Sequence, residues 1–412
     1  MTDFRALGLS DRLLSTLDAA GFTEPTPIQA KAIPAILDGR DVMGLAQTGT
    51  GKTAAFGLPL LNRALVPQGK LADREVRALI LAPTRELARQ ITGNLQMLAG
   101  KSHLRIRTVV GGASINGQCR QLERGADILV ATPGRLIDLT ERRAVRLDTV
   151  TFLVLDEADQ MLDMGFIQPL RRIAKMLGPE RQTVLFSATM PKQIAELSQA
   201  FQNDPLRIEV ARPGRPAEKI SQSVHFVEQA AKMDLLKSHL DTHRGELALV
   251  FARTKHGAER MMKQLCAAGF EAVSIHGNKS QGQRERALKA FRDAKAMVLV
   301  ATDVAARGID IPDVRHVYNF DLPNVPENYI HRIGRTARAG ADGAAIAYCA
   351  PQEMGELRAI EKVLKTTIAV AGGEPWREAA AKPAKGGGRG KPGGQRRNRR
   401  PGNRGRQVKR AA

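Results

Sequence analysis

Residues 41–53 read Asp41-Val-Met-Gly-Leu-Ala-Gln-Thr-Gly-Thr-Gly-Lys-Thr53. An apolar run of strand character breaks into small residues, Lys52 and Thr53 follow, and a helical pattern begins. In that context backbone N–H groups converge on phosphates, and the helix N-terminus adds favourable partial charge. Lys52 is placed to reach the β and γ phosphates of a nucleotide, and Thr53 to hold Mg2+. Ala46 stands where the strict form of such a loop has its first glycine, and alanine is small enough to serve. A glycine-rich turn without a ligand has the same composition, but strand, loop and helix all agree with phosphate binding.

The same rhythm extends outward from this loop. Short β-rich runs begin at Arg77, Ile106, Asp127, Phe152 and Thr183, with helical patterns such as 86–98 and 167–176 between them. Alternation of this kind predicts an α/β fold with parallel sheets covered on both faces. The stretch 203–221 loses the rhythm and carries Pro205, Pro213, Gly214 and Pro216, so its middle reads as a linker. The rhythm then restarts, with runs from Val224, Leu247, Ala272, Met297, His316 and Ala344, and a closing helix near 351–365. Two successive units of similar size suggest a duplicated architecture. The expected organisation is a first lobe over 1–208, a linker over 209–218, a second lobe over 219–372 and a tail over 373–412.

A chain of 412 residues that is 43% hydrophobic can bury two cores. The net charge of +21 points to a polyanionic partner. Residues 382–412 hold twelve Lys or Arg and no acid, which leaves +9 for everything before them. With almost nothing to bury, the Gly, Arg, Lys and Pro of the tail predict disorder, and a flexible polycation that gathers the polyanionic partner by tethering; a merely solubilising tail is the alternative. Cys119, Cys266 and Cys349 are far apart and form neither a CxxC pair nor a disulfide framework. No leader pattern opens the chain and no apolar run approaches membrane-spanning length, so a cytoplasmic protein without membrane contact is expected.

The strand from Phe152 ends in Asp156-Glu157-Ala158-Asp159. Acids leaving a buried strand are costly unless they meet a cation. Asp156 suits Mg2+, and Glu157 suits orienting and deprotonating an attacking water. This tetrad, with the loop at Lys52, resembles the DEAD-box RNA helicases, and the likeness extends over about 4–361. Gly21-Phe22 and Pro25-Thr-Pro-Ile-Gln29 resemble that family's Q motif, which implies that Gln29 reads the adenine edge of ATP and that Phe4 packs near the base. Taken alone, Gln29 reads as a surface residue. The resemblance implies two tandem RecA-like lobes, with the nucleotide contacted by Ala46, Gln47, Thr48, Gly49, Thr50, Gly51, Lys52 and Thr53.

From the second lobe the resemblance assigns Asp310 to the ribose and Arg307 to coupling, within Ala301-Thr-Asp-Val-Ala-Ala-Arg-Gly-Ile-Asp310. It makes Arg335 and Arg338 arginine fingers, which at i and i+3 share one side of a helical turn. Ala337 stands where the family usually has glycine. Without the first-lobe site these arginines read as an exposed basic turn. Loops that combine small residues with hydroxyls or guanidiniums suit sugar–phosphate contacts that ignore base identity. They are Pro83-Thr84-Arg85, Gly111-Gly112 and Thr132-Pro133-Gly134-Arg135, then Arg253-Thr254-Lys255, His276-Gly277, Gln281 with Arg284, and Thr302. Singly each reads as a solvated turn; the resemblance assigns them jointly to single-stranded RNA. Ser187-Ala188-Thr189 matches the motif linking hydrolysis to unwinding, with hydroxyls suited to Asp159 and His331, and Asp303 joins this coupling set. The same hydroxyls also suit a cap on the helix near Pro191.

Aromatic content of 4%, with Trp376 the one tryptophan, argues against a base-stacking platform. Phosphate and 2′-OH contacts, and hence sequence-independent binding, are expected instead; the resemblance implies ATP-dependent binding of single-stranded RNA and opening of short duplexes, and a monomer is expected. Short flanks and Leu322-Pro-Asn-Val-Pro-Glu-Asn-Tyr-Ile-His-Arg resemble the bacterial RhlE subgroup. The family implies ribosome-assembly or RNA-degradation proteins as partners. A non-enzymatic RNA clamp and a DNA-directed motor are the rival readings.

Overall fold

A computed structural model of the chain describes residues 3–46, 49–67, 69–210, 220–306, 313–337 and 342–376. Met1–Pro375 is one compact unit. Of the second unit, Trp376–Ala412, only Trp376 is described. The tail from 377 and the linker residues 211–218 lie outside the described residues.

The first sheet contains β1 (Val42–Leu45), β2 (Val76–Leu81), β3 (Ile106–Val109), β4 (Ala126–Ala131), β5 (Phe152–Leu155), β6 (Gln182–Ser187) and β7 (Leu206–Glu209). The second contains β8 (Ile220–Phe226), β9 (Leu247–Phe251), β10 (Ala272–Ile275), β11 (Val298–Ala301), β12 (Val314–Asn319), β13 (Gly343–Cys349) and β14 (Ala369–Gly372). The first is ordered β3-β4-β2-β5-β6-β1-β7 and the second β10-β11-β9-β12-β13-β8-β14. Adding seven to each number converts one order into the other, so the duplication suggested by the sequence is realised strand for strand. Every pairing is parallel, for example Val42 with Val184 and with Leu206 across β6-β1-β7.

Parallel strands need crossovers, and helices supply them on both faces. Along β2, Ala78 and Ile80 enter one core with Phe56 and Ile91, while Leu79 and Leu81 enter the other with Leu136 and Leu153. This period of two on a strand buried both ways explains the continuous apolar runs. Gly44 of β1 has a packing reason: a Cβ there would clash with the Phe186 ring on β6.

Two strands escaped the sequence reading. β7 lies inside the stretch read as having lost its rhythm and runs to Glu209, one residue past the expected boundary at 208. β14 follows the closing helix Met354–Leu364 and pairs with β8. Both are edge strands, with only Ile208 buried in β7 and no residue buried in β14; β7 alternates as Leu-Arg-Ile-Glu, and β14 is a short Ala-Val-Ala-Gly run beyond the closing helix.

Candidate functional site: a cleft between two lobes

The loop after β1 feeds the helix Lys52–Ala64. Its N-cap, Gly51, has φ +86°, the left-handed region that glycine enters without a Cβ penalty. A Cβ at Gly51 would clash with the Gln29 amide nitrogen. Gln29 is 2% exposed, correcting its isolated reading as a surface residue. Its Nε2 donates to the Gly51 carbonyl at 3.1 Å, and its Oε1 accepts from the Thr26 N–H at 2.9 Å. Each amide end keeps one further hydrogen-bonding position.

Gln29, Gly49, Gly51, Lys52 and Thr53 line a cleft of about 230 Å³ with Asp156 and Glu157, and Arg335 of the second lobe enters it. Lys52 Nζ and Glu157 Oε2 are buried without hydrogen-bond partners among the described residues. Buried polar atoms without a hydrogen bond are costly, and a polyphosphate with its Mg2+ and attacking water supplies the matching groups. The residues therefore fit a magnesium nucleotide: Asp156 and Thr53 offer oxygens, and Lys52 the cation. Burial pushes the Asp156 carboxyl up to about 6, with the nearby Lys52 pulling against it. Asp156 also accepts the Glu157 N–H at 3.0 Å. Glu157 itself has φ +53°, a left-handed backbone uncommon outside glycine and asparagine.

Asp159 joins the lobes. One carboxylate oxygen accepts the N–H groups of Ala188 and Thr189 at 3.0 and 2.9 Å and the Thr189 hydroxyl at 3.0 Å. His331 Nε2 of the second lobe stands 3.8 Å from the same oxygen. Burial raises the Asp159 carboxyl, but His331, Lys52 and the Thr189 bonds outweigh it and hold it below the ordinary range. The Thr189 hydroxyl thus reaches Asp159. Ser187 does not: its hydroxyl donates to the Thr189 carbonyl at 2.7 Å. Nor does either hydroxyl cap the next helix, Lys192–Phe201, whose N-cap is Pro191 without a side-chain bond.

The loops expected to hold RNA converge only in part. Pro83, Thr84, Arg85, Gly111, Gly134 and Arg135 line a second cleft of about 450 Å³ with Thr132, and Arg284 of the second lobe completes it. The Arg85 guanidinium lies over Gly111-Gly112, where a Cβ on Gly112 would clash with Nη1. Thr84 and Thr254 cap the helices Arg85–Ala99 and Lys255–Ala267. Pro133 is buried at the first turn of its helix. Arg253 is tied to Glu353 at 2.9 Å and to the Leu322 carbonyl at 3.2 Å, away from the cleft lining. Lys255, Gly277 and Thr302 do not line this cleft either.

Gln281 and Arg284, assigned to RNA by resemblance, bridge the lobes. Arg284 Nη2 lies 3.1 Å from Glu86 Oε1, Gln281 Nε2 donates to the same oxygen at 3.3 Å, and Arg85 donates to Gln281 Oε1 at 3.4 Å.

Phe4 is 3% exposed within the first-lobe core, and the aromatic that lines the nucleotide cleft is Phe22. Phe22 was visible in the sequence beside Gly21, but an upstream aromatic could not be told from a core residue by spacing. Glu86 and Arg332 were missed because each sits inside a motif whose other members drew the assignment. Arg332, 2% exposed, donates to both Asp303 oxygens, to Asn319 and to the Asp321 carbonyl, and its guanidinium lies 4.9 Å from the Phe251 ring centroid. That network fixes Asp303 and the helix Glu327–Ile333 that carries His331. Gln47, Thr48, Arg307, Asp310 and Arg338 lie outside the described residues.

The family model for DEAD/DEAH box helicases matches residues 26–197, and that for the helicase conserved C-terminal domain matches residues 231–340. The ATP-dependent RNA helicase CshA of Listeria monocytogenes is 46% identical over 381 residues, covering 92% of this chain and 72% of its own. CshA of Bacillus cereus is 46% identical over 365 residues, covering 89% and 69%. Among solved structures, S. cerevisiae Dbp5 bound to RNA and ADP BeF3 has a TM-score of 0.81 at 32% identity, covering 90% of this chain and 96% of that one.

Proposed function

The chain belongs to the DEAD-box ATP-dependent RNA helicases, enzymes that couple ATP hydrolysis to RNA unwinding, and on that premise we propose how its own residues divide the work. The observation that carries the reading is the pair of orphaned buried groups, Lys52 Nζ and Glu157 Oε2, in a cleft that Arg335 enters from the other lobe.

Lys52 and the backbone of 46–53 hold the ATP phosphates, Gln29 meets the adenine, and Phe22 rather than Phe4 borders the base. Thr53 and Asp156 hold Mg2+, which neutralises charge on the phosphates when bound. Glu157 orients and deprotonates the attacking water. Arg335, with Arg338, stabilises the charge that develops on the γ-phosphate, Asp310 takes the ribose, and Arg307 serves coupling. RNA lies in the second cleft, held through its backbone by Thr84, Arg85, Gly111, Gly112, Thr132, Gly134 and Arg135, with Arg284 and Gln281 across from them. Arg253, Thr254, Lys255, Gly277 and Thr302 extend that track on the second lobe.

Because each cleft is completed by both lobes, each ligand favours the closed state and hence the other's binding. Asp159, Thr189 and His331 carry that coupling between the clefts, with Asp303 held in place by Arg332. Closure on one strand opens a short duplex locally, without sequence preference; loss of the γ-phosphate removes what Arg335 holds, and the lobes part. The setting that fits is a monomeric cytoplasmic helicase of RhlE type in ribosome assembly or RNA turnover. The subgroup rests on the short flanks and the 322–332 segment, whereas the relatives compared above carry the name CshA.

The test is steady-state ATP hydrolysis alone, with single-stranded RNA, and with matched DNA, repeated for Lys52→Ala. Stimulation by RNA only, lost in Lys52→Ala, is expected. Equal stimulation by DNA supports a DNA-directed motor, and ATP-dependent RNA binding without turnover supports a clamp.

A further inference from the structure

Four of the chain's eight histidines stand in two ring pairs on the second lobe, His225 with His239 and His243 with His316. Two of them, His243 and His316, share a carboxylate. His243 caps the C-terminus of the helix Lys232–Thr242, Glu246 directly precedes β9, and His316 lies near the start of β12. One ligand atom from each of the three lies within 4.8 Å of the other two. Glu246 accepts a hydrogen bond at His316 Nε2, and His243 Nδ1 stands 3.9 Å from the same carboxylate oxygen. The strands of this sheet are parallel, so their starts lie at the edge opposite their following loops, and none of the three residues lines either cleft. The cluster therefore has no part in either cleft.

We propose that His243, Glu246 and His316 form a binding site for a divalent first-row transition cation of the zinc class, on the second lobe and outside the helicase machinery. Two imidazoles and one carboxylate are the donor set that such ions take, with water filling the remaining positions, and they leave Mg2+ at a disadvantage because it prefers oxygen. His316 is the fixed member, 7% exposed on a strand.

His316 Nδ1 has no partner among the described residues, so the ring's single proton can move there from Nε2 without breaking another bond. The Nδ1–H is then buried without an acceptor, which weakens the site relative to a closed structural zinc site. His243 and Glu246 are the adjustable members, with side chains 39% and 49% exposed. The rings of His243 and His316 now stack at 4.0 Å, so His243 must turn for its lone pair to converge with the others. A bound cation pins the end of the helix Lys232–Thr242 to the sheet and raises the lobe's thermal stability.

The experiment is zinc titration of the full-length chain in excess Mg2+, by calorimetry and by thermal melting, for the native protein, His243→Gln and Glu246→Gln. Both substituted positions are exposed, so the variants retain the fold and the RNA-stimulated ATPase that verifies it. The native chain is expected to take up zinc saturably and melt higher with it. Each variant is expected to bind at least roughly tenfold more weakly, the scale on which metal sites respond to loss of supporting groups. Co2+ in place of zinc should give visible d–d absorption that both variants lose. Absence of saturable zinc uptake overturns the proposal, and so does an affinity unchanged in His243→Gln, which would assign uptake to other groups and leave Glu246 and His316 a plain hydrogen-bonded pair.

Discussion

Glu157 occupies a left-handed backbone position, is 4% exposed, and has one carboxylate oxygen without a partner among the described residues. Those three facts have one explanation in the proposed chemistry: a water between Glu157 and the γ-phosphate supplies the missing hydrogen bond, and the backbone geometry aims the side chain. Glu157→Gln keeps the shape and removes the base. Turnover is expected to fall by roughly 10²–10⁴, the usual contribution of a general base. ATP-dependent RNA binding should persist, because Lys52, Arg335 and the Asp159–Thr189 contacts are untouched, and the closed complex should release RNA slowly. An RNA chase in excess ATP measures this; release as rapid as in the native protein would remove Glu157 from the step that reopens the lobes.

At the scale of elements, the helix Arg85–Ala99 does two things at once. Its first turn borders the RNA cleft, and Leu87, Gln90 and Asn94 further along border the nucleotide cleft. Across the lobes it faces the helix Gln281–Arg292 through Glu86 with Arg284 and Gln281, and through Arg89 with Glu285. The Glu86 and Arg284 side chains are 9% and 14% exposed, so this pair is screened far less than a surface bridge. Glu86→Ala and Arg284→Ala should each raise the RNA concentration needed for half-maximal ATPase. Their double mutant should fall short of additivity by about 0.5–3 kcal/mol, the range for residues in direct contact; strict additivity would mean the bridge does not act in closure. The sequence showed these elements well, because strands buried on both faces print continuous apolar runs. It hid β7 and β14, whose edge positions bury almost nothing, and it hid the partners of Gln281 and Arg284. A pairing between residues nearly two hundred positions apart leaves no local pattern.

On the scale of the whole molecule, the two sheets repeat one topology but carry complementary halves of each cleft. The first lobe holds the phosphate loop, the acids and most of the small-residue loops, and the second brings Arg335, His331 and Arg284. Lys52 and Glu157 keep atoms without hydrogen-bond partners even with both lobes in place, and Arg335 reaches their cleft from the second lobe, which is why ligand binding and closure are one event in the proposed mechanism. Charge is distributed on a different plan. Of the net +21, the twelve basic residues of 382–412 account for more than half, and no acid offsets them there. Phosphate contacts made by such residues release counterions, so each contributes to the slope of log affinity against log salt by about −0.7 for a single strand. A chain ending at 381 should therefore bind RNA more weakly at low salt and show a shallower slope, and its affinity should approach that of the full chain as salt rises. Its ATPase without RNA should be unchanged, because every group in the nucleotide cleft precedes residue 340. Equal affinity and equal slope for the two chains would leave the tail a solubilising segment, with RNA held by the lobes alone.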